Sequence, residues 1–239
     1  MSVFAHLVER LAELLQPLFH ASAAAAAIVL FTMLVRLLVH PLSRAAARGQ
    51  KAKAALQPRI AELRTQHAKD PQKLQKAIME LHAEEKVSPL SGCLPSLLQA
   101  PAFFLMYHLF SSTSIGGEAN GLLGHQLFAA PLGDRWADAL AAGGPLGGAG
   151  LVYLALFALV AVVATVNFRR TRRMTAENAP VPAAAGTGEQ VPGIGAVTKV
   201  MPFMSFFTLV TVAVVPLAAA LYVVTSTAWS AVERAVLYR

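Results

Sequence analysis

Arg36 combines a permanent charge with an apolar setting. It sits in the run 21–42 (ASAAAAAIVLFTMLVRLLVHPL), 22 residues long and sufficient to cross a bilayer as a helix. A charge at that depth costs roughly 2.5–3.5 kcal/mol on insertion scales. The next charge, Arg44, is eight residues on, about 12 Å along a helix axis and beyond full rescue by snorkelling. Thr32 and His40 flank Arg36 by one turn, and Ser43 follows at i+7, so all four share a helical face. A polar face inside a membrane needs water, a partner helix or a substrate. A positive charge there attracts acidic segments or anions.

Other chemistries lack their residues. No GxxxxGK[ST] phosphate loop, HExxH or CxxC occurs, which argues against ATP-driven pumping and zinc hydrolysis. The seven histidines show no ligand spacing, and Cys93, the one cysteine, permits no internal disulfide and reads as a packing residue. His108 with Ser111 and Ser112 reads as interfacial polarity, not a nucleophile and its base. No Asp or Glu falls in the first four apolar spans, and Glu233 closes the fifth. A proton- or sodium-coupled carrier would want an intramembrane carboxylate. The chain is therefore read as a non-enzyme with no catalytic residue, cofactor or metal. The neutral polar groups of the spans are Gln99, Thr165, Asn167, Ser205, Thr208, Thr211, Thr225, Ser226, Thr227 and Ser230. A single Ser or Thr bonds its own backbone more often than a substrate.

The elements that must position Arg36 follow from composition. The 239 residues are 56% hydrophobic and 14% charged, with mean hydropathy +0.54, the profile of a polytopic membrane protein. Five spans are expected: 21–42, 89–112, 149–168, 197–214 and 216–236, the last two separated only by Val215-Pro216. Lys and Arg number ten in 43–88, five in 169–199 and two in the C-terminal end, against Arg10 and Arg135 on the alternate side. The net charge of +7 thus follows the positive-inside pattern rather than a nucleic-acid stripe. It places the N-terminus outside, and the C-terminal tail 237–239 in the cytoplasm, of a bacterial plasma membrane.

Residues 1–20 carry apolar positions at i, i+3, i+4 and i+7 (Val3, Phe4, Leu7, Val8, Leu11, Leu14, Leu15, Leu18) with Glu9, Arg10 and Glu13 among them. This is no signal-peptide core. It predicts an external amphipathic helix on the membrane surface, or one packed on an external loop. The 43–88 loop predicts an amphipathic helical hairpin, with Pro58 kinking or restarting the first helix and Asp70-Pro71 opening the second. Its ten basic and five acidic residues suit lipid headgroups, or a partner such as ribosomal RNA or a targeting factor. The external loop 113–148 is Gly-rich with apolar patches and is expected at the interface. The cytoplasmic loop 169–196 ends in an Ala/Pro/Gly-rich linker expected to be disordered.

The order RLLVHPLS (36–43), ALQPRIAELR (55–64) and VSPLSGCLPSLLQAPAFFLMYHLF (87–110) resembles the YidC family of membrane protein insertases. The stretch Gly92-Cys93-Leu94-Pro95 through Gln99-Ala100-Pro101 carries most of the likeness. Met201-Pro202 and Ala220-Leu221-Tyr222 match in placement, although Val223 stands where an aromatic residue often follows the tyrosine. The third span has no glutamine, leaving Asn167 as a polar substitute. The resemblance implies an all-α protein with five core spans and a groove open to cytoplasm and lipid. Arg36 is the main groove residue, with Thr32, His40, Gln99, Asn167, Thr208 and Ser226 as further candidates. It implies nascent membrane proteins and lipids as partners. The ribosome, a targeting factor and the Sec translocon are further partners to consider, and a monomer is the default because the groove opens sideways. A small-anion transporter or channel built on Arg36 is the competing reading from residues alone, and an assembly chaperone shares the insertase's features.

Overall fold

The computed structural model describes residues 2–68, 70–87, 94–115, 117–177 and 201–237. Helices dominate these residues: α1 (Ser2–Phe19), α2 (Ala23–Ala55), α3 (Gln57–Gln66), α4 (Pro71–Glu84), α5 (Leu94–Ser111), α6 (Trp136–Gly143), α7 (Gly148–Glu177), α8 (Phe207–Val214) and α9 (Leu217–Leu237). The 113–148 segment adds two short antiparallel ladders, Ser114–Ile115 with Glu118–Ala119 and Gln126–Leu127 with Ala130–Pro131. The all-α class expected from the sequence holds in that the chain is mostly helical, and the expected external loop carries these two ladders.

Helix boundaries differ from the expected ones for physical reasons. The first span does not end at 42. With helix-forming Ala, Arg, Lys and Gln outweighing the single Gly49 beyond Ser43, α2 runs 33 residues, through Pro41 and into the basic segment. Pro58 then occupies the first turn of a new helix, where its missing N–H costs nothing, so it restarts rather than kinks. Asp70 caps α4, its Oδ1 accepting the Lys73 amide at 3.1 Å. Leu56, Ile60 and Leu81 close a small separate core between α3 and α4, and Arg59 pairs with Glu85. The third span likewise overruns its expected end at 168. The arginines at 169–173 favour helix, and α7 continues to Glu177. The remainder of the expected linker, 178–196, lies outside the described residues, as do Cys93, the start of the fourth span at 197–200 and residues 238–239.

Pro216 decides the last boundary. It holds Val215 extended (φ −86°, ψ 158°), so the apolar stretch breaks into α8 and α9. A 3-10 turn at Met201–Phe206 leads into α8. Among the described residues two helical stretches are long and apolar enough to cross a membrane, Val3–Gln66 and Gly148–Arg173, and Phe203–Val214 is a shorter apolar one.

The 113–148 segment ties one end of the bundle together. Asn120 Nδ2 donates to the Leu109 and Ser112 carbonyls at 2.8 and 2.9 Å, capping the end of α5. The Asp134 carbonyl accepts both the Tyr153 hydroxyl (2.6 Å) and the Leu217 amide (2.9 Å), joining the starts of α7 and α9. Ser22 Oγ accepts the Phe128 amide at 3.1 Å, adding the start of α2. Helices α2, α7 and α9 therefore run away from this cap, and α5 and α8 run toward it. Leu122, Ala130, Leu132 and Ala139 of the cap are buried in the main core, so it is a folded lid and not a loose loop. Helix α1 folds back along α2, burying Ala5, Val8 and Ala12 and setting Phe4 edge-on to Phe31. Leu7, Leu14 and Leu18 stay exposed, so α1 is both packed and half-available to a membrane surface.

Asn120→Ala orphans two helix-end carbonyls and is expected to cost about 1–3 kcal/mol. Tyr153→Phe removes one of two donors to Asp134 and is expected to cost about 1 kcal/mol. Unfolding titrations of the detergent-solubilised protein check both values and their order.

Candidate functional site

Close packing in the bundle is one-sided. In α2 the buried residues are Ala23, Ala24, Ala25, Ala27, Ile28, Phe31 and Thr32, and the next is Ala47. In α9 the buried run is Leu217–Val224 plus Ser226, with none beyond it. Tyr153, Leu156, Val160 and Ala164 continue this core on α7, and Met106, Leu109 and Phe110 on the cap end of α5. The dry part thus lies next to the 113–148 cap. Packing loosens toward the hairpin end, where Leu34, Leu37 and Leu38 are exposed. Small side chains explain the tight half, since alanines let helix backbones approach closely.

Arg36 sits where that packing stops. Half-buried, it donates from Nε to Ser226 Oγ at 3.0 Å and reaches the same oxygen with Nη2. Ser226 is buried, as is Tyr222, one turn earlier on α9. One turn beyond Arg36, His40 Nδ1 meets Glu233 Oε1 at 2.5 Å, with the glutamate side chain 10% exposed. The two links follow the same order along both helices, so α2 and α9 lie parallel. Glu233 is near enough for Arg36 to feel its charge, but its hydrogen-bonding oxygen is engaged by His40. Among the described residues Arg36 forms no ion pair and is held by a neutral hydroxyl. The indole Nε1 of Trp229, three residues after Ser226 and four before Glu233, is a buried donor without a partner among the described residues.

The structure thus brings Arg36, His40 and Ser226 together. Thr32 points into the dry core and bonds the Ile28 carbonyl at 2.7 Å. Thr208 lines a gap of about 10 Å³ with Ser205 and Thr227 against α7, and Arg36 is not among the lining residues. Asn167 is half-buried on α7 with no hydrogen bond among the described residues. The side chain of Gln99 lies outside the described residues. Thr165, Thr211, Thr227 and Ser230 each bond a carbonyl one turn back, as isolated hydroxyls do. Sequence reasoning missed Glu233 as a member of the site. The available signal was spacing: 222, 226, 229 and 233 form one i, i+4, i+7, i+11 stripe on α9.

The His40–Glu233 contact is testable apart from any activity. A double-mutant cycle of His40→Ala and Glu233→Gln, read by unfolding in detergent, is expected to give a coupling of roughly 0.5–3 kcal/mol. Simple additivity would show that the two side chains do not pair.

Comparison with known proteins adds identity to this geometry. The 60Kd inner membrane protein family matches residues 15–239. A protein named membrane protein insertase YidC from Chloroherpeton thalassium is 36% identical over 94 residues, 39% of this chain and 16% of that protein. Proteins of the same name from Clostridium perfringens and Francisella tularensis subsp. novicida are 42% and 48% identical over 84 and 81 residues. These cover 35% and 34% of this chain, and 35% and 15% of the relatives' own lengths.

Proposed function

This chain belongs to the 60Kd inner membrane protein family, that of the YidC insertases, and from that membership we propose that it moves hydrophobic proteins from the cytoplasm into the bilayer. The observation that carries the mechanism is the coincidence of an unpaired, half-buried Arg36 with the point where helix packing opens. Five spans with the N-terminus outside and the C-terminus in the cytoplasm fit both the alternating helix directions and the Lys/Arg distribution. In that orientation the cap seals the outer end, and the loose end with the basic hairpin faces the cytoplasm.

A client enters from the hairpin end, and its polar or acidic leading segment replaces Ser226 as the partner of Arg36. A carboxylate about 4 Å from the guanidinium gains about 4 kcal/mol at an effective dielectric near 20. That gain offsets part of the cost of drawing a polar segment below the headgroups. The hydrophobic part of the client then passes along exposed apolar positions into lipid, and transfer of apolar surface from water drives the step. No covalent bond changes. Nascent membrane proteins and lipids are the partners this requires, and contacts with the ribosome, a targeting factor and the Sec translocon would deliver the client to the hairpin.

Complementation of insertase-depleted cells tests the reading, together with insertion assays of clients with acidic or neutral leading segments. Wild-type chain is expected to restore growth. Arg36→Ala is expected to lower insertion of acidic clients at least tenfold, with Arg36→Lys retaining most of it. His40→Ala, which leaves Glu233 free to occupy Arg36, should weaken the same clients, and adding Glu233→Gln should restore them. Failure of the wild-type chain to rescue would overturn the insertase assignment. Full insertion by Arg36→Ala would overturn the role of the charge.

A further inference from the structure

A second charged feature lies at the end of α7. At the end of α7, Arg169, Arg172 and Arg173 stand at i, i+3 and i+4, on one helical face. With Thr165, Phe168 and Phe206 they line an open cleft of about 600 Å³. Phe168 stacks edge-on to Phe203, with ring centroids 5.1 Å apart, and lies 5.8 Å from Phe206. The floor of the cleft is therefore aromatic and its rim is guanidinium. None of the three arginines is exposed beside a carboxylate within ion-pair distance among the described residues. Phe203, Met204 and Phe207, which continue the aromatic wall along the next helix, are exposed.

We propose that this cleft is a binding site for one anionic glycerophospholipid of the leaflet that faces the hairpin end. Its phosphate sits among Arg169, Arg172 and Arg173, and an acyl chain lies along Phe168, Phe206 and the exposed flank of α8. Planar guanidinium groups match phosphate oxygens in paired hydrogen bonds, and a basic pocket at the boundary of apolar helices suits a lipid headgroup. The exposed apolar flank that runs away from the arginines along Phe203, Met204 and Phe207 favours a lipid over RNA, which would use the aromatic rings but not that flank. The inference rests on the membrane setting supplied by family membership, not on the role of Arg36, so the two stand or fall separately.

The test is native mass spectrometry of the full chain in detergent, titrated with phosphatidylglycerol or phosphatidylcholine. Retention of about one phosphatidylglycerol is expected, with little phosphatidylcholine, and with weakening as salt is raised. Each basic side chain at an anionic surface is worth about a fivefold factor. Arg169→Gln/Arg172→Gln/Arg173→Gln is therefore expected to lose roughly a hundredfold in affinity. Arg172→Gln/Arg173→Gln, which removes only two exposed side chains, should fall between and guards against loss of fold in the triple variant. Arg44→Gln/Arg48→Gln/Lys53→Gln, with equal charge removed from α2, should retain the lipid. Phe206→Ala should weaken binding of a long-chain lipid more than of a short-chain one. Equal loss in the α2 variant would reduce the effect to general charge and overturn the site. Unchanged lipid retention in the triple variant, with or without loss of ribosome binding, would also overturn it.

Discussion

A guanidinium cannot be neutralised in a protein, so once Arg36 is placed in an apolar helix the surrounding structure must satisfy it without cancelling it. Ser226 does this with one oxygen serving two guanidinium nitrogens. A carboxylate at the same position would hold Arg36 permanently, because breaking a buried ion pair leaves an uncompensated charge. The serine is a neutral, weaker anchor than a carboxylate would be. The nearest carboxylate, Glu233, is engaged by His40. Two polar links set the α2–α9 contact, and the division of partners between them leaves the arginine available.

The rest of the bundle reads as support for that junction. Tight packing requires small side chains and satisfied backbone ends, and both are concentrated near the 113–148 cap. Alanines at 23–25, 27 and 218–220 are buried. Asn120 and the Asp134 carbonyl fasten three helix ends to the cap, and Ser22 adds the start of α2. At the other end no such clamp joins the described helices, and α2 and α7 extend past the core as charged helices. The dielectric around Arg36 is therefore set by its position between a dry half and an open half. Moving it two turns toward the cap would bury it; moving it two turns toward the hairpin would leave it in solvent.

Periodicity and charge made much of this legible in the sequence. The long first helix, the third apolar helix, the Asp70 cap and the alternation of helix directions all rest on local rules. The boundaries were less legible, because nothing in residues 43–55 or 169–177 stops a helix that has already begun. The cap was missed because its hydrogen bonds join Asn120, Asp134 and Ser22 to residues far along the chain, and no local pattern marks them. Within the site, Arg36 and His40 were conspicuous by cost. Ser226 was one of many hydroxyls, and only the pairing of α2 with α9 separates it from Thr227 and Ser230, which bond their own helix.

The position of Glu233 shows why absence of carboxylates along the spans was an incomplete argument. One acid lies within electrostatic reach of Arg36, at the end of the fifth helix, and its presence alone would predict a trapped pair. The outcome is decided by geometry rather than by composition. His40, one turn closer to the open end, meets the carboxylate first, and Ser226, one turn closer to the dry core, meets the guanidinium. The charge of Arg36 is then retained because two competing contacts are each satisfied by a different neighbour. His40 thus holds one Glu233 oxygen and Ser226 holds the guanidinium, so the fifth helix supplies each partner of the second helix with its own acceptor.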